Sequence, residues 1–172
     1  MFAHVLKRAD AILDRHGGTE VVQMSQGRLR FEAGHERLAC MRLTANGLLR
    51  WYAGCCHTAI GNIPANRHLP YLGLIHTCID HRTAGHSPES LLGPIDCRVN
   101  AHDPELRRMY VDAHERIPAR TLIRMAARAL GWRLHGDHLH SPFFDPDCGA
   151  PITKPRILGA DERAALAASI RA

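Results

Sequence analysis

The first apolar residues of the chain recur with a helical rhythm. Phe2, Val5, Leu6, Ala9, Ile12 and Leu13 keep the i, i+3, i+4 spacing, and Gly17-Gly18 stops it. The pattern predicts an amphipathic helix over 2–16 that packs on a body. From Thr19 the period shortens to that of strands, at 20–24, 28–33, 37–43 and 48–52. Gln-Gly, Ala-Gly and Ala-Asn-Gly breaks of hairpin type separate them. Residues 69–79 form a further apolar stretch and 95–99 a last short one. Between these two, Gly85, Pro88, Gly93 and Pro94 predict a loop.

After Asp103-Pro104 the pattern becomes helical again. Pro118 suits the first turn of a helix running to about Leu134, interrupted by Gly131. Leu122, Ile123, Ala126, Ala129 and Leu130 are its predicted apolar face, and Arg120, Arg124 and Arg128 a basic ridge at i, i+4 spacing. A Pro- and Asp-rich loop over 141–155 precedes a terminal helix over 160–170. The expected fold class is α+β, with several short, mostly antiparallel strands between helical ends. The expected organisation is one domain over 1–172: an N-terminal helix (1–18), a β-rich core (19–100) and a helical part (104–172).

A length of 172 residues suffices for one real core, and an aromatic share of only 5% makes that core mainly aliphatic. Net charge is +5 with 13 histidines, so the surface becomes strongly cationic below about pH 6.5. That balance permits attraction to acidic partners without demonstrating any. No run approaches the ~18 apolar residues of a membrane span. Lys7, Arg8 and Asp10 interrupt what would be the apolar core of a secretory leader, so a cytoplasmic location is expected. Six cysteines at irregular spacing form no disulfide framework, and most are expected to be buried thiols.

Candidate chemistry begins at Cys55-Cys56-His57, which follows a strand-like run in a Gly-containing turn. Vicinal thiols there can offer a thiolate to zinc, and Cys55 and Cys56 are the candidate metal ligands. Two unmodified thiols at a turn are the competing reading. A tetrahedral zinc needs four donors, and no second cysteine pair occurs in the chain.

The stretch from Gln26-Gly-Arg-Leu-Arg-Phe through Leu48-Leu-Arg-Trp-Tyr-Ala-Gly-Cys-Cys-His-Thr-Ala-Ile-Gly resembles the glutathione-dependent formaldehyde-activating enzyme and centromere protein V family. Within it, the chain is most similar to an uncharacterised bacterial branch whose later cysteine pair is contracted to Cys-Cys. Arg-Ala-Asp (8–10), Gly-Gly-Thr (17–19), Arg-Leu-Ala-Cys (37–40) and Ser-Pro-Phe-Phe-Asp (141–145) resemble the same branch. The resemblance implies a β-tent fold of small antiparallel sheets pinned by a structural zinc. A second zinc is associated with glutathione-adduct chemistry.

By position, Cys56 matches the second cysteine of the structural pair. The first cysteine falls on Ala53, Cys55 stands in for it, and His57 takes the place of a glycine. The early Cys-x-Cys and Cys-x-x-Cys of the family would precede Phe2, where this chain has no residues. Two accounts remain open: a start assigned at an internal Met1, or a degenerate member that folds without metal. The functional expectation is a β-tent domain related to zinc-dependent carbon–sulfur lyases and catalytically incomplete as it stands. The alternatives are an active lyase on a glutathione adduct in the full-length protein, and a weak nucleic-acid or acidic-surface binding module. Zinc is the implied cofactor, its site incomplete, and glutathione or a thiol adduct the implied partner.

Four further groups invite functional readings. His76 and Cys78 would share one face of a strand with His81 just beyond, a ligand-like pattern that more often marks core residues. His135, Asp137, His138 and His140 read as solvated surface in a polar loop. Cys148 sits in a Pro-rich turn. The ridge Arg120, Arg124, Arg128, with Arg116 behind it, has the chemistry to grip phosphates or an acidic lipid surface. No aromatic residues interleave it, which disfavours nucleic acid, and a solvated helix face is expected.

Overall fold

A computed structural model describes residues 1–80, 85 and 87–171 of the chain. They form two compact units, one of Met1–Asp80 with Trp132–Ala172 and one of His81–Gly131. The first unit is built on strands β1 (Val21–Ser25), β2 (Leu38–Arg42), β3 (Leu49–Ala53), β4 (Ala59–Ile63) and β5 (Tyr71–Ile75). β1, β5, β4, β3 and β2 pair antiparallel in that order. A two-residue strand, Arg156–Ile157, extends the β2 edge in parallel. With helices at both ends of the chain, the fold is α+β.

Alternation along the strands sorts their side chains to two faces. Leu38 and Cys40 of β2, Leu49 and Trp51 of β3 and Leu72 of β5 enter one buried cluster. Phe143 and Phe144, from the segment expected only to be loop, close that cluster. The Phe143 ring lies 5.0 Å from Trp51 and 5.8 Å, edge-on, from Phe31. Met41 and Ile75 face the other way and meet the N-terminal residues Phe2, Leu6 and Ile12.

The N-terminal stripe is buried as its spacing predicts, but on two short helices rather than one. α1 (Phe2–Val5) and α2 (Ala9–Ile12) are separated by Lys7, whose φ of 55° is left-handed and ends a right-handed helix. Residues 28–33 are not a strand. A 3-10 turn at Gln26–Arg28 precedes them, and they run without a ladder partner to Gly34 at φ 76°. Gln26 fixes this turn: its amide donates to Leu69 O and Tyr71 O, and its Oε1 accepts from Ser141 Oγ at 2.6 Å.

The second unit holds α3 (Pro88–Leu92), in the stretch expected as loop, and α4 (Pro104–Met109), capped by Asp103. It also holds two paired two-residue strands, β6 (Arg98–Val99) and β7 (Ala113–His114). α5 (Ala119–Leu134) begins one residue after Pro118, as predicted, but runs through Gly131 without the expected interruption, and residues 119–131 of it belong to this unit. The Arg156–Ile157 strand is β8, and α6 (Ala160–Arg171) ends the described chain. Among the described residues no helix is long and apolar enough to cross a membrane.

Candidate functional site

The β3–β4 connection places Cys55 and Cys56 side by side on an exposed turn. Two backbone bonds close it: Ala53 N–H donates to Thr58 O at 2.9 Å, and His57 N–H donates to Ala53 O at 2.8 Å. His57 takes a left-handed φ of 58°, which lets the five residues 54–58 reverse the chain between the paired strands. Gly54 N–H donates to Arg37 O at 2.8 Å, tying the turn to the segment before β2. The rings of Tyr52 and His57 meet edge-on at 6.2 Å, and Phe2 meets Tyr52 at 6.3 Å. The turn therefore stands on the end of the sheet that the N-terminal residues cover.

Within it, Cys56 is chemically distinct. Its Sγ lies 3.1 Å from the Thr58 hydroxyl. That hydroxyl, then the Thr58 backbone N–H, holds the Cys56 thiol below its ordinary value. The neighbouring Cys55 thiol and the positive charge of Arg8, at the start of α2, act in the same direction. Hydrogen bonds to the charged form favour it, so Cys56 presents more thiolate at neutral pH than a free cysteine does. An exposed thiolate can attack an electrophile or bind a soft metal.

Other cysteines behave oppositely. Burial pushes Cys40 up to about 12. Cys78 belongs to an exposed 3-10 turn, not to a strand face beside His76. Its sulfur nevertheless turns inward, donating to Ala59 O at 2.7 Å, and burial of the thiol pushes it up to about 11. His76 Nδ1 is 3.2 Å from Glu20 O, and His81 lies outside the described residues. Cys148 is exposed in a turn built on Asp145, whose Oδ1 accepts from the N–H groups of Asp147 and Cys148, both at 2.9 Å.

The histidine-rich group is not a ligand set. Asp137 pairs with Arg28 at 3.8 Å, and the His138 ring lies 6.0 Å from that of His68. His140 lines a shallow cleft of about 510 Å³ with Leu29, Arg30 and Phe144. Among the described residues no three His, Cys, Asp or Glu side chains are grouped to hold a metal ion. Cys55 and Cys56 alone do not close a tetrahedral zinc site, so the donor set does not fit that metal as a structural centre.

The first 154 residues match the model of a family of unknown function, DUF6151. The chain belongs to that family. No curated protein and no solved structure matches it. Membership of the family covers β1 to β5, the cysteine turn and the Phe143-Phe144 plug, and it names no activity.

Thr58 and Arg8 are the site residues that sequence reading missed. Thr58 follows Cys56 by two positions, a spacing legible only once the turn is known. Arg8 acts on the turn only through its charge, and no local pattern announces it. The basic ridge is a solvated face as expected, with Arg120, Arg124 and Arg128 all exposed; Arg124 forms a surface ion pair with Asp96, which that contact holds below the usual carboxylate range.

Proposed function

We infer that this chain is a β-tent-like domain related to glutathione-adduct carbon–sulfur lyases, and that it acts through a thiolate at the Cys55–Cys56 turn without carrying the lyase reaction itself. One observation carries the reading. Cys56 is exposed and hydrogen-bonded toward its thiolate form, beside a second exposed thiol. The resemblance of the segment around Trp51 and Cys56 to the formaldehyde-activating family supports the thiol-adduct class of ligand. Two thiols at one turn suit binding of a thiol-reactive compound or a soft ion. They do not by themselves supply the donors that zinc-dependent catalysis needs.

The test is the rate at which formaldehyde and glutathione condense, with and without the protein. The expected rate equals the spontaneous one for wild type and for Cys56→Ser. A saturable acceleration that Cys56→Ser abolishes would establish the active-lyase alternative instead.

A further inference from the structure

The apolar face of α5 is turned to solvent. Leu122, Ile123 and Leu130, its predicted core face, are 55%, 68% and 57% exposed. The inward row is instead Thr121, Met125 and Ala129, of which only Thr121 is fully buried. At about 100° per residue, positions 122, 123, 126 and 130 share one arc of about 100° on the helix. Arg120, Arg124 and Arg128 form the adjoining stripe. Within the second unit, Ala101, Ala113 and Thr121 are the buried residues among those described, while Met109, Val111 and Ile117 are exposed too. Three small side chains are a slight core for some fifty residues, so this surface has much to gain from being covered.

The charges select the cover. Arg124 is paired with Asp96, but Arg120 and Arg128 have no ion pair among the described residues. A second copy packed antiparallel about a two-fold axis would bring each arginine stripe against its own counterpart, because such an interface is self-complementary. Like charges would then line the seam. An anionic bilayer surface offers the reverse: an apolar interior for leucine and isoleucine, and phosphates at the level of the guanidinium groups.

We propose that α5 is an interfacial helix that seats Leu122, Ile123 and Leu130 in an anionic lipid surface, with Arg120 and Arg128 on the headgroup phosphates. The helix lies on such a surface and does not span it. The attraction is partly electrostatic and weakens as salt rises.

The experiment is co-sedimentation of the whole chain with vesicles of phosphatidylcholine alone and of phosphatidylcholine mixed with phosphatidylglycerol. The expected result is binding to the mixed vesicles that falls with salt, and none to the neutral ones. Ile123→Ser with Leu130→Ser should abolish it, circular dichroism confirming that the fold persists. Arg120→Gln and Arg128→Gln should each weaken it about fivefold, which decides the matter even if the serine variant fails to fold. Absence of binding to mixed vesicles, or equal binding to both kinds, would overturn the proposal. So would light scattering showing a dimer that Ile123→Ser with Leu130→Ser dissociates.

Discussion

The thiol of Cys56 lies 3.1 Å from the hydroxyl of Thr58, two residues on along the same turn. When Cys56 ionises, that hydroxyl becomes the donor, and a charge-assisted bond forms where a weak thiol bond stood. The contact is local, yet it depends on His57 holding a left-handed conformation between the two residues.

Removing the hydroxyl should therefore act on reactivity rather than on fold. Thr58→Val is expected to raise the pH at which Cys56 becomes reactive and to slow its alkylation severalfold at neutral pH. The thiolate fraction outweighs the small gain in intrinsic nucleophilicity that a higher pKa brings. Alkylation rates across a pH series measure this. An unchanged profile would mean that the Thr58 hydroxyl plays no part.

Zinc affinity follows from donor count. Cys55 and Cys56 provide two of the four donors of a closed site, so protein purified without chelator is expected to hold well under one zinc per chain. Elemental analysis decides it. One zinc per chain that resists a chelator and is lost in Cys56→Ser would contradict the account and require donors from elsewhere.

Gly27 and Gly131 should respond in opposite directions to the same substitution. A β-carbon on Gly27 would stand 2.5 Å from the carbonyl oxygen of Asp137, a backbone atom with little freedom to retreat. Gly27→Ala is expected to cost about 1–3 kcal/mol, the usual range for overpacking. Gly131 sits inside α5, with nothing within 4 Å of an added β-carbon. Gly131→Ala should stabilise by up to about 1 kcal/mol. Denaturant titration of both variants checks the pair, and equal shifts would contradict it.

Asp145 predicts a dependence on acid. The N–H groups of Cys148 and Asp147 hold its carboxyl below the usual carboxylate range. A folded value below the unfolded one contributes stability that is present above the unfolded value and lost as pH falls through the folded one. Asp145→Asn should therefore narrow the difference in Tm between neutral and acidic solution. The same difference in wild type and variant would show that the turn makes no such contribution.

Much of the architecture was legible in the chain because periodicity reports burial of one face. α5 begins and ends where Pro118 and Leu134 suggest, and the N-terminal stripe Phe2, Leu6 and Ile12 is buried. Which face of α5 is covered was not legible. Its Leu/Ile arc and its Thr121–Met125–Ala129 row have the same period, and only the tertiary structure distinguishes them. Residues 28–33 alternate like a strand yet have no neighbour to pair with. β4 carries Gly61, which breaks the apolar pattern and fits there because a β-carbon would meet the backbone oxygen of Gly73 at 2.9 Å and Leu72 Cδ1 at 2.7 Å. At the site, the cysteine pair was visible as residues, but the acidity of Cys56 depends on Thr58 and Arg8, and so on the turn and the fold.

The central claim is that Cys56 is the reactive group of this molecule, and site-resolved alkylation of the intact chain at neutral pH tests it most directly. Mass spectrometry of partially labelled protein ranks all six cysteines in one experiment. The account predicts that Cys56 labels first, Cys55, Cys97 and Cys148 later, and the raised thiols Cys78 and Cys40 last. Labelling of Cys97 or Cys148 as fast as Cys56 in the folded protein would contradict it.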